Sequence, residues 1–173
     1  MTSLVLLVPA AVQAAAMLVD EGWFHQRRPL PRWERIGHPL DTLTTVACYG
    51  WLAVARPGAV ADLRIYVALA LFSCLFITKD EFVHARLCQP GETWLHAVLF
   101  VMHPVVFLAF GALWWSGASH VFVAAQFVLS ISFAIYQVVY WNLPWKRTSP
   151  SVPSTMRSIP PSATAGTTPT TIR

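Results

Sequence analysis

Five apolar runs, at 3–19, 40–55, 63–78, 97–115 and 121–141, constrain this chain more than any other feature of its sequence. A helix that crosses a bilayer needs about 20 predominantly apolar residues. Each run approaches that length once flanking amphipathic residues are counted, the second and third being the shortest. With 55% of its residues hydrophobic and 12% charged, a soluble domain of 173 residues would have trouble keeping so much apolar surface from water. The sequence therefore predicts an all-α integral membrane protein of about five transmembrane helices. Its length is that of one domain, so a separate catalytic module is not expected.

The basic residues give an orientation. Arg27, Arg28, Arg32 and Arg35 follow the first run, Lys79 and Arg86 follow the third, and Lys146, Arg147 and Arg157 follow the fifth. Cytoplasmic loops are enriched in Lys and Arg, so these three regions are expected inside, with only Arg56 and Arg64 outside and the N-terminus out. In a bacterium this means the inner (cytoplasmic) membrane. The first run has no basic residue before it and is read as a retained helix, not a cleaved signal. Because Lys and Arg sit in short loops and not on one soluble face, nucleic acid is not an expected partner. The helical domain is expected over 1–145. Residues 146–173 turn to Ser, Thr and Pro and are expected to form a disordered cytoplasmic tail. The three cysteines form no CxxC, and Cys48 and Cys74 lie within apolar runs, so no disulfide framework is expected.

The two predicted cytoplasmic connections resemble each other. The first reads Asp20, Glu21, His25, Pro31, Glu34, His38; the second reads Asp80, Glu81, His84, Pro90, Glu92, His96. The order is the same and the spacings nearly so. This predicts a pseudo-duplicated four-helix bundle, with hairpin repeats at about 3–56 and 63–116, plus a fifth helix at about 120–142.

Residues three or four apart on a helix share a face. Glu21 with His25, Glu34 with His38, Glu81 with His84, and Glu92 with His96 all satisfy that spacing. Glu81 and His84 alone have the Glu-x-x-His spacing of bundle-core di-iron and di-manganese sites. All eight side chains belong to one end of such a bundle, where they are candidate ligands for two divalent metal ions. Mixed carboxylate and imidazole ligands suit iron first, with manganese or zinc also compatible. Glu81, His84, His96 and His25 are the leading candidates. Eight groups exceed the need of two ions if carboxylates bridge, so some are expected to support ligands or relay protons.

Asp41, one turn beyond His38, and His103, seven residues and about 10 Å beyond His96 along a helix, are candidates for an outer ligand shell or a substrate contact. Asp20 and Asp80 point about a hundred degrees away from the neighbouring glutamates on an α-helix and are expected to be helix-end partners. His120 belongs to no cluster.

The chemistry that fits best is a metal-dependent membrane oxidoreductase acting on a hydrophobic or lipid-like substrate by hydroxylation, desaturation or oxidation, supplied by an electron donor. A metal-dependent lipid hydrolase would use the same ligands. A haem-binding four-helix membrane protein would use the histidines but leave the glutamates unexplained. A non-enzymatic metal-binding or structural subunit is the remaining alternative. The His-x3-His boxes of membrane desaturases and hydroxylases and the His-Glu-x2-His box of zinc proteases are absent.

Overall fold

The computed structural model describes residues 4–27, 30–82, 84, 88–117 and 120–143. The tail expected at 146–173 lies outside the described residues. Among those described, every regular element is helical. Five long helices carry the fold: α1 (Val8–Val19), α2 (Arg32–Val54), α3 (Val60–Phe76), α4 (Pro90–Trp115) and α5 (His120–Asn142).

Proline sets where several of them begin. Pro9 lies in the first turn of α1 and Pro90 opens α4, positions whose N–H has no partner within the helix. Pro31 caps α2 in an extended conformation (ψ 157°), as Gln89 does before α4 (ψ 157°). The repeated proline of the sequence is thus the start signal of the second helix in each hairpin. Between α2 and α3 the chain reverses through Pro57 and Gly58, the latter at φ 77°, a left-handed conformation that favours glycine.

Four helical stretches are long and apolar enough to cross a membrane: Val5–Arg27, Val60–Asp80, Pro90–Trp115 and His120–Asn142. The second of the five expected spans differs. At 23 residues α2 has the length, but its first three turns carry Arg32, Glu34, Arg35, His38 and Asp41. Around the outside of the fold, Leu71, Leu75, Val101, Leu108, Val121 and Val128 each expose more than half of their surface. Apolar exposure on that scale is foreign to a water-soluble monomer.

Packing does not follow the order of the chain. Helix α1 packs on α4, whereas α2 packs on α3 and most extensively on α5; α3 also meets α4. The first helix of each hairpin is therefore seated on the second helix of the other. Small residues permit the close approaches. A Cβ on Gly50 would lie 2.9 Å from the Phe127 ring across α2 and α5, and one on Gly111 would lie 2.9 Å from the Tyr66 ring across α4 and α3. One end of the fold is an apolar core of Cys48, Tyr49, Leu52, Phe107, Phe110, Leu113 and Trp114. Within it the Tyr66 hydroxyl donates to the Phe107 carbonyl at 2.6 Å, which pairs the one polar atom that this ring brings inside. The opposite end holds most of the buried carboxylates and histidines.

Candidate metal centre

At the end of α1 the helix widens. Residues Asp20–Phe24 form a π turn, closed by the His25 N–H bonding to the Asp20 carbonyl. A π turn accommodates one residue more than an α turn. Gly22 lies inside it, and glycine has the weakest preference for the regular α conformation after proline. The wider turn brings Asp20, Glu21 and His25 together, and all three are buried. One more turn, His25–Arg27, ends the segment.

Across from it, Glu92 and His96 lie one turn apart near the start of α4, and both are buried. Asp20 Oδ1 is 3.1 Å from His96 Nε2. Asp20 Oδ2 is 3.5 Å from His25 Nε2, which is 3.8 Å from Glu92 Oε1. Asp20, His25, Glu92 and His96 thus each offer a ligand atom, all within 4.8 Å of one another. Atoms bonded to one ion at about 2.0–2.2 Å lie within about 4.4 Å of each other, so modest side-chain movement would complete a coordination shell.

Two other groups of three share members with this one. Glu21, His25 and His38 form the first, with His25 Nδ1 at 3.7 Å from Glu21 Oε2. His84, Cys88 and His96 form the second. The four imidazoles make a ring: centroids are 4.8 Å apart for His25 and His38, 5.9 Å for His38 and His84, 4.1 Å for His84 and His96, and 6.4 Å for His96 and His25.

Not every expected ligand joins. Glu81 is exposed, although it follows the buried Asp80 directly. The 3-10 turn Ile77–Asp80 ends α3 with Asp80 turned inward, so the Glu-x-x-His pair Glu81 and His84 does not share one interior face. Glu34 is buried, one turn from the partly buried His38. Asp41 bonds to Lys79, whose ammonium also lies 3.1 Å from Asp80 Oδ1. His103 stands apart from the ring, with Ser73 Oγ at 2.9 Å from Nε2 and Gln13 Nε2 at 3.3 Å from Nδ1. His120 is exposed at the start of α5.

The reading of Asp20 and Asp80 as helix-end or loop partners assumes α geometry: Asp80 does end its helix, paired with Lys79, whereas the π turn carries Asp20 inward. Asp20 stands inside the cluster, and Asp80 is buried at its edge. Sequence reasoning also missed the supports from α5. Gln137 and Trp141 donate to the two oxygens of Glu21 at 3.0 and 2.8 Å, and Thr42 donates to Gln137 at 2.6 Å. The signal available beforehand was Gln137 itself, one of the few polar residues, with Gln126, Ser130, Ser132 and Asn142, within the final helix.

Two features suit these residues to holding a cation. Both ring nitrogens of His84 are buried without a hydrogen-bond partner, as is Nδ1 of His96. Buried polar atoms are normally paired, and exceptions point to a group they would bind. Burial, together with the neighbouring His96 and His38, pushes the His84 imidazole down to about 4, so it is neutral near pH 7 and its lone pair is free to bind a cation.

The cluster opens onto a cavity of about 400 Å³. Asp20, His38, Asp80, His84 and His96 line its polar part; Met17, Leu99, Phe100, Leu129 and Phe133 line much of the rest, with His103 and Tyr49 also in its wall. No protein-family model, curated protein or solved structure matches the chain.

Proposed function

We propose that the chain is a membrane-embedded oxidoreductase that uses two divalent metal ions, iron foremost, to act on a hydrophobic or lipid-like substrate. The observation that carries this reading is a buried carboxylate and imidazole cluster that opens directly onto a cavity with largely apolar walls. Ligand pockets are typically apolar with a few convergent polar groups, and the volume falls within the range for small molecules. Helices long and apolar enough to cross a membrane surround it, so an amphiphile would reach the cavity without leaving lipid.

The chain's own groups would do three things. Asp20, His25, Glu92 and His96 would hold a cation, neutralising two carboxylates that are otherwise costly to bury. Gln137 and Trp141 would fix Glu21 against His25, the kind of outer support that orients ligands. The apolar wall would seat a hydrocarbon segment against the cluster and exclude water from it. Iron, when bound, would supply the redox chemistry. By the distribution of Lys and Arg, the cluster would face the cytoplasm of the inner membrane, with an electron donor reaching it from that side.

The test is elemental analysis of protein purified in mild detergent, followed by oxygen uptake after reduction. Bound iron that consumes oxygen, with less iron and no oxygen uptake in Glu92→Gln, is the expected result. Protein that retains zinc alone and takes up no oxygen would replace this reading with metal-dependent hydrolysis. A haem absorption band would replace it with electron transfer.

A further inference from the structure

The two hairpins are alike in sequence but differ by one residue between the acid and the histidine: Asp20 to His25 is five positions, Asp80 to His84 is four. The local structure accounts for the difference. In the first hairpin that segment is the π turn, whose closing bond spans five residues; in the second no such turn is present among the described residues. One turn separates aspartate from histidine in both. The residue pairs that correspond structurally are therefore Asp20 with His25 and Asp80 with His84, each followed in its hairpin by Glu34 with His38 or Glu92 with His96 at the four-residue spacing of one α turn.

Helix packing then divides these eight residues differently from the order of the chain. Because α1 lies on α4, Asp20 and His25 face Glu92 and His96, and the distances of 3.1 and 3.8 Å across that contact are those of the tight group described above. The reciprocal contact is α3 on α2. There the Asp80 carboxylate rests on α2 at Gly37, 3.3 Å from where a Cβ would stand, immediately before His38. His84 lies 5.9 Å from His38 between ring centroids, and Glu34 is 1% exposed one turn earlier.

We propose that the chain binds two divalent cations in two crossed sites, each built from both hairpins: Asp20, His25, Glu92 and His96 in one, and Asp80, His84, Glu34 and His38 in the other. This deepens the metal reading given above and rests on it. The second site carries an independent mark of a missing ligand, the two buried ring nitrogens of His84 with no hydrogen-bond partner. It also carries a resident positive charge. The Lys79 ammonium lies on Asp80 and Asp41, offsetting the same carboxylate that a cation would neutralise. Filling the second site requires Asp80 to leave Lys79 to Asp41.

The experiment is titration of detergent-purified, metal-stripped full-length protein with Mn(II), read as bound metal and by electron paramagnetic resonance. The wild type should take up two equivalents. Asp20→Asn and Asp80→Asn should each take up one equivalent fewer, and Glu81→Gln should take up both. At full loading the wild type should show the signal of a magnetically coupled pair, a readout that survives even if a variant fails to fold. A single equivalent in the wild type, two full equivalents in Asp80→Asn, a loss in Glu81→Gln, or uncoupled ions at full loading would overturn the crossed sites and leave metal binding standing. Uptake of no metal by the wild type would overturn the proposed function itself.

Discussion

The two ends of this helical fold solve opposite problems with the same helices. At one end the second halves of α2 and α4 meet α3 in a closed core, where Tyr49 packs against Phe107 and Phe110 at 5.7 and 5.1 Å and Trp114 is 2% exposed. At the other end the first turns of α2 and α4 meet the ends of α1 and α3 across carboxylates and imidazoles, beside a cavity that no side chain fills. The first end is complete as it stands. The second gathers charges that cost free energy to bury unless something pairs them, the usual signature of a site kept for use and not for stability.

If that contrast holds, substitutions at the two ends should differ in kind. The largest effect should come from the closed end: Phe110→Ala should lower unfolding free energy by about 3–5 kcal/mol whether or not metal is present, measured by denaturant titration in detergent micelles. An effect that depends on metal would merge the two ends into one. Next is metal removal. At a hundredfold excess of free metal over Kd each bound ion adds about 2.7 kcal/mol, so chelation should cost His84→Ala about 2.7 kcal/mol less than the wild type, while its metal-free form unfolds no earlier than the metal-free wild type. A metal-free His84→Ala protein that unfolds much earlier would make the imidazole ring structural.

Smaller still is overpacking where helices touch. Gly50→Val, which drives a branched side chain into Phe127, should cost about 1–3 kcal/mol, seen as a lower midpoint with unchanged metal content. The smallest effect should be at the reversal between α2 and α3. There Asp62 accepts the Arg56 backbone N–H at 3.0 Å while the Arg56 side chain is 91% exposed. Asp62→Asn should change stability by no more than about 1 kcal/mol, and less at high salt.

How far the sequence reached follows from what each inference needed. Helical class and the existence of several membrane-length helices required only apolar runs and their lengths, which are local properties. The start of α2 and α4 was legible because Pro31 and Pro90 act on the residues beside them. Which acidic side chains turn inward needed more. Choosing Glu21 and Glu81 over Asp20 and Asp80 assumed 3.6 residues per turn throughout, and both segments depart from it, one by widening and one by tightening. Such departures are set by packing around the turn, and no propensity scale carries them. Nor was the helix pairing readable. A repeat shows that two hairpins are alike, but only contact shows that α1 lies on α4 and α2 on α3 and α5.

The fifth helix has no counterpart in the repeat, and that bears on the redox chemistry proposed above. Gln137 and Trp141 hold Glu21 beside one half of the ring, whereas Glu81, its counterpart in the other hairpin, is turned outward. An approximately twofold cluster is thereby polarised, with an added carboxylate on one side and a lysine ammonium on the other. Two ions seated there would not share charge equally. The one beside Glu21 would be the easier to oxidise and the one beside Lys79 the easier to reduce, which gives a mixed-valence state a preferred direction from the start.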